Sequence, residues 1–191
     1  MKKYEFKPDR SGSNWMDRLY LTPQQRMRIL KWSLYSLLCV FLLVLQDVAF
    51  SLFRPFGGTV DMLVAAVMVV CLLEDTWSGG KFALAIALFY QFSGSSPGHF
   101  VIVLLPFLGV FATVFRRGYL QQGFGAVFLC AGGAVGLYEL CNFAIVLMMG
   151  RTHLGAWPGA LMTGVNTLVS IPVLYPLLRA IGKTGGTTWK D

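Results

Sequence analysis

Apolar residues gather along the chain into six runs, at residues 32–53, 60–73, 82–92, 99–115, 124–149 and 156–181, separated by short polar or glycine-rich stretches. The first, fifth and sixth runs, of 22, 26 and 26 residues, are long enough as helices to cross a hydrocarbon layer ~30 Å thick at ~1.5 Å per residue. The fourth, with 17, just reaches. The second and third, with 14 and 11, have a length typical of re-entrant or protein-buried segments. They predict either short helices extended into the linker 74–81 or one broken hairpin. Both alternatives add or remove crossings in pairs, so the sidedness of every later segment is the same. The pattern therefore predicts an all-α membrane protein, a six-helix transmembrane bundle with short or broken helices 2 and 3.

The polar flanks set the boundaries and the orientation. Thr22, Pro23 and Gln25 have the order of an N-cap, a first-turn proline and a capping-box partner, which predicts that helix 1 starts near Pro23. Its first turns, with Arg26, Arg28 and Lys31, are expected among anionic headgroups. The organisation expected is a basic cytoplasmic tail at 1–31, the bundle at 32–183 and a C-terminal cytoplasmic tail at 184–191. Composition agrees: 55% of residues are apolar, 13% are charged and the mean hydropathy is +0.62, which excludes a disordered, collagenous or disulfide-stapled chain. The net charge of +7 points to topology and not to nucleic acid, because eight of the sixteen basic residues precede the first apolar run. With the N-terminus inside, fourteen Lys and Arg fall on the inner side and two, Arg54 and Arg151, on the outer. That bias places both termini in the cytoplasm. No cleavable signal peptide is expected, since the first run follows a 31-residue basic tail and is too long for a signal core. Cys39, Cys71, Cys130 and Cys141 all lie in apolar runs without CxxC spacing, as small core residues do.

Ionisable and amide side chains inside the spans are costly and so carry the functional expectation. Glu139 lies ~23 Å along helix 5, in the outer half. Gly132, Gly136, Glu139 and Asn142 share an arc of about 120° on that helix, a face both small and polar that must meet another helix closely. Two readings stay open for Glu139: contact with a ligand or partner, or a carboxyl bonded within the bundle to fix register. Gln46 and Asp47 close helix 1 toward the outside, and Asp47 and Arg54 share a face that allows a snorkelling pair. Asp61 stands at the start of segment 2, where the helix macrodipole favours an acid. It could equally join Gln91 and Asn166, the latter in the middle of helix 6, in lining a pocket. The stretch 93–98 reads as a tight outer turn. Pro106 in helix 4 and Pro172 and Pro176 in helix 6 are expected to kink their helices. His99 and His153 have no ligand spacing, so no metal and no cofactor is expected. The chain has no phosphate-cradling glycine loop with a lysine, no HExxH and no GxSxG, and a lone carboxylate is not a catalytic constellation. An enzyme is not expected, and neither is a nucleic-acid partner.

Over residues 32–181 the sequence resembles the rod-shape-determining MreD family. The resemblance is carried by the order and spacing of Leu45-Gln46, the glycine turn Gly57-Gly58-Thr59 leading into Val60-Asp61-Met62-Leu63, the hairpin Ser93-Gly94-Ser95-Ser96-Pro97-Gly98, the Arg116-Arg117 stop, and Asn166-Thr167 followed by Pro172, Tyr175 and Leu177-Leu178-Arg179. It implies a multi-pass, six-helix protein of the bacterial cytoplasmic (inner) membrane in the elongasome, the peptidoglycan synthesis machinery that maintains cell shape. It also implies a non-catalytic scaffold that works with a bitopic MreC-like protein, with the RodA/PBP2 synthase pair and with MreB filaments. The small bundle is similar, too, to the substrate-binding subunits of energy-coupling-factor vitamin transporters, which have an outward-facing pocket. On the first resemblance Gln46, Asp47, Gly132, Gly136, Glu139 and Asn142 bind a partner's transmembrane helix. On the second, Glu139, Asn142 and Asn166 line a solute pocket.

Overall fold

A helix of twelve residues with no polar side chain, Met62–Leu73 (α2), decides the architecture. A helix that is apolar all round has no face to turn to water and is buried inside a larger body. In the computed structural model, which describes residues 23–50, 58–120 and 123–184, α2 is the axis of the bundle. Every residue from Leu63 to Leu72 is at most 1% exposed. Around it stand α1 (Pro23–Leu45, continued by a π-helical turn Gln46–Phe50), α3 (Thr76–Phe92), α4 (Val101–Tyr119), α5 (Phe124–Met148) and α6 (Trp157–Thr184, preceded by a 3-10 turn Leu154–Ala156). All five touch α2. Among the described residues there are six helices and no strand.

Four of these elements are long and apolar enough to span a membrane: Gln25–Val48, Val101–Tyr119, Phe124–Met148 and Leu154–Thr184. Their outer surfaces are apolar. Leu37, Phe41, Val103, Phe107, Leu129, Val169 and Val173 are all exposed, a surface suited to acyl chains and not to water. Aromatic residues such as Trp77, Tyr119 and Trp157 stand near helix ends, the depth favoured by amphipathic rings. The third apolar run recruits Thr76 to Lys81 from the linker to become a 17-residue helix. The second stays short, at twelve residues, as its run length predicts. α1 starts at Pro23, so residues 23–31 of the expected basic tail belong to this helix, whereas residues 1–22, Thr22 among them, and Arg54 lie outside the described residues. Helices α4 and α6 continue through Pro106 and through Pro172 and Pro176.

At ~1.5 Å per residue α2 is only ~18 Å long, so it cannot reach both faces of a ~30 Å hydrocarbon layer, and at least one of its ends falls inside. At that depth each free backbone group needs a protein partner. Neighbouring helices supply them. At the inner end Arg116 donates to the Leu72 carbonyl, Arg117 Nη2 to the Glu74 carbonyl at 3.2 Å and Arg117 Nη1 to Asp75 at 2.9 Å. Cations at a helix C-terminus also oppose its macrodipole. The side chain of Glu74 is itself buried, paired with Lys31 Nζ at 2.7 Å, and Tyr35 donates to Glu74 Oε1 at 3.0 Å with the Leu178 carbonyl at 3.3 Å alongside. This corrects the expectation for Lys31: with 4% of its surface exposed, it is a core residue and not a headgroup contact. The same contacts bring the described ends of α1 and α6 to one end of the bundle, the end for which the bias of basic residues gives the expectation of an inner side.

Hydrophobic burial contributes little to helix association in lipid, where tails are as apolar as leucine, so close packing and hydrogen bonds must hold the bundle. The buried sides of the ring helices accordingly carry Ala83, Ala87, Ala112, Ala131 and Ala134, and a Cβ at Gly109 would meet Cys71 Sγ at 2.8 Å. Lys31→Met is expected to lower the unfolding free energy by about 3–5 kcal/mol by leaving the Glu74 carboxylate buried and alone, while Lys31→Met with Glu74→Leu recovers most of it. Thermal and denaturant unfolding in detergent measures both. Equal losses in the single and double variants would show that no such pair exists.

Candidate functional site

The outer end of α2 is finished differently from the inner end. Before it, residues 58–61 are strapped to α6: Thr59 N–H donates to Thr163 Oγ1 at 3.2 Å, Asp61 N–H to Thr167 Oγ1 at 3.0 Å, and Asn166 Nδ2 reaches the Gly58 and Thr59 carbonyls at 3.4 and 3.5 Å. The approach is so close that a Cβ at Gly58 would lie 2.6 Å from Thr163 N. From the other side Gln46 accepts the Leu63 N–H at 3.4 Å and donates to Asp61 Oδ1 and to the Tyr90 hydroxyl, both at 3.4 Å. Asp61 holds the N-cap position, yet its side chain makes no capping bond. The carboxyl turns instead toward Gln46 and Glu139.

That turn leaves space above α2. A cavity of about 600 Å³ opens at the outer end, walled by the ends of α1, α3 and α5, the start of α6 and the segment before α2. Its polar wall comprises Gln46, Asp47, Thr59, Asp61, Tyr90, Ser95, Glu139, Asn142, Thr152 and Thr163, and its apolar wall includes Val60, Phe143, Val146 and Ala160. Asp47 stands exposed at the rim and accepts a hydrogen bond from Ser95 Oγ of the α3–α4 hairpin. Glu139 sits deeper, 8% exposed, within hydrogen-bonding reach of Asp61 and Asn142. Even so, Glu139 Oε1, Asn142 Oδ1 and the Tyr138 hydroxyl are buried without a hydrogen-bond partner. Buried polar atoms are ordinarily paired, and two orphaned acceptors on residues that line one cavity, Glu139 Oε1 and Asn142 Oδ1, mark a place where a donor is wanted.

Of the residues singled out by sequence, Gln46, Asp47, Asp61, Glu139 and Asn142 meet around this cavity. Gln91 and Asn166 do not line it. Gln91 braces the outer hairpin, 2.6 Å from His99 Nδ1 and accepting Ser96 Oγ at 2.7 Å. Asn166 points behind the wall, onto the Gly58 strap. The small face of α5 meets the chain's own α6: a Cβ at Gly132 would be 2.9 Å from Leu168 Cδ2, and one at Gly164 would be 3.8 Å from Glu139 Cγ. Gly132 is therefore spent on internal packing, whereas a Cβ at Gly136 meets nothing within 4 Å. The pairing of Asp47 with Arg54 lies outside the described residues. Nothing in the sequence points to Tyr90, Ser95 and Thr163 as cavity residues, since a tyrosine in an apolar run and hydroxyls in a turn or near a span end carry no signal of their own. Among the described residues no group of three or more His, Cys, Asp or Glu is placed to hold a metal ion.

No family model, curated protein or solved structure matches the chain.

Thr167→Val removes the acceptor of the Asp61 N–H in a buried place and is expected to cost about 1–3 kcal/mol of stability. Gly58→Val is expected to do worse, because the clash is with α6 backbone. Stability of Gly58→Val equal to wild type in a detergent melt would show that the strap does not lie on α6 as described.

Proposed function

We propose that this protein is a non-catalytic integral-membrane scaffold of the bacterial cell-wall elongation machinery, of the kind the MreD family provides. In this reading the outer half holds the transmembrane helix and adjoining segment of a bitopic MreC-like partner. The inner end, with Arg26 and Arg28 exposed on the first turns of α1, faces cytosolic components such as MreB filaments, and the RodA/PBP2 synthase joins through the same assembly. The observation that carries the reading is the set of orphaned acceptors, Glu139 Oε1 and Asn142 Oδ1, above a small-residue position, Gly136, left open on α5. A helix seated there finds both close backbone approach and hydrogen-bond acceptors, the two features that hold helices together in lipid.

A second reading is supported by the volume of the cavity. At about 600 Å³ it falls in the ~300–1,000 Å³ range of small-molecule pockets. On this reading the chain is the substrate-binding subunit of an energy-coupling-factor type vitamin transporter. Ligand retained through purification, or a rise in Tm with one member of a vitamin panel, favours it.

Gly136→Leu separates the two, because the added side chain enters open space and leaves the fold intact. The scaffold reading expects the recovery of a co-expressed MreC-like partner to fall by about tenfold or more, as for a central interface position, with insertion and Tm unchanged. Full recovery of the partner with both Gly136→Leu and Asn142→Leu would remove the proposed interface.

A further inference from the structure

Among the described residues, the walls of the outer cavity hold three carboxylic side chains, Asp47, Asp61 and Glu139, and no lysine, arginine or histidine. Acids collected in a bundle are costly without a counter-charge. The acids alone would say little, but the deepest of them is more than nine-tenths buried, lines the cavity and keeps one oxygen, Oε1, without a partner. Asn142, half-buried on the same wall, likewise has its Oδ1 buried without a partner. Both orphans are acceptors, so the missing group is a donor. A group with several N–H donors and a positive charge answers both deficits at once. Tyr90 and Phe143 add aromatic surface to the same wall, a further attraction for a cation.

We propose that the outer cavity is a recognition site for an organic cation, an ammonium or guanidinium group that donates to Glu139 Oε1 and Asn142 Oδ1 while Asp47 at the rim supplies a second negative charge. The group has two sources, a free amine solute or the lysine or arginine side chain of a partner segment lying over the outer face. This deepens the functional reading above and rests on its premise that the outer cavity is where recognition happens. A partner helix placed against Gly136 would then be anchored by a basic residue just beyond its outer membrane boundary. Discrimination follows from the chemistry: a neutral group of the same size leaves the acids without a counter-charge and satisfies fewer acceptors.

The test uses the full-length protein in detergent or nanodiscs and probes matched in size but not in charge. These are n-butylamine against n-butanol, and a blocked Ala-Lys-Ala tripeptide amide against its norleucine twin. A saturable rise in Tm is expected with a cationic probe and not with its neutral twin. The apparent Kd is expected to weaken about tenfold or more in Glu139→Gln and in Asp47→Asn, the range for a lost charge-assisted hydrogen bond. A response to n-butylamine identifies a free amine as sufficient; a response to the lysine peptide alone identifies a side chain presented by a partner. Equal shifts with charged and neutral probes, or wild-type affinity in both variants, would overturn the proposal. Asp47→Asn decides by itself if Glu139→Gln fails to fold, because Asp47 is exposed at the rim. Loss of amine binding with partner recovery intact would leave the scaffold standing, and amine binding that persists without partner recovery would remove the scaffold and leave the site.

Discussion

A helix too short to cross the membrane, held upright in the middle of five others, is the constraint on which the rest of the structure depends. Because α2 spans ~18 Å of a ~30 Å layer, it cannot have both ends at the surface, and free backbone groups enclosed in the bundle find no partner in lipid. Side chains of the surrounding helices must come to them. Arg116 and Arg117 from α4 close the inner end, and Gln46 from α1 with Thr167 from α6 close the outer end. The polar residues within this apolar protein are thus organised by the ends of one helix.

The two ends are finished in contrasting ways. At the inner end charge meets charge: Glu74 and Lys31 form a buried pair locked by Tyr35, and aromatic rings of Trp32, Tyr35 and Phe82 pack around it. At the outer end acids face one another and a cavity, with acceptors to spare. The inner end is closed by its own ion pair and hydrogen bonds, and the outer end leaves acceptors unpaired. The same asymmetry gives the proposed scaffold a rigid cytoplasmic half and a receptive outer half.

Much of the fold was legible in the sequence because lipid imposes simple rules. Apolar run length gave the number of helices, and the shortness of the run 60–73 allowed a protein-buried segment, which is what the central helix is. The candidate site was half legible. Glu139, Asp47 and Asp61 stand out as acids where acids are expensive, and they do converge. Lys31 and Glu74, by contrast, are 43 residues apart and each sits beside a span end, where a charge needs no explanation. Only the shortness of α2, pulling Glu74 inward, brings them into the core. Gln91 and Asn166 failed as pocket residues for a related reason: an amide in a span announces a hydrogen bond but not its direction, and here the bonds go to a hairpin and to a strap.

The sheathing of α2 is the claim from which the cavity, the caps and the buried ion pair all follow. Photolabelling in liposomes with a lipid-soluble diazirine, read out peptide by peptide by mass spectrometry, measures it directly. The account expects heavy labelling of Gln25–Val48 and Val101–Tyr119 and none above background on Met62–Leu73. Labelling of Met62–Leu73 equal to that of the outer helices would contradict it.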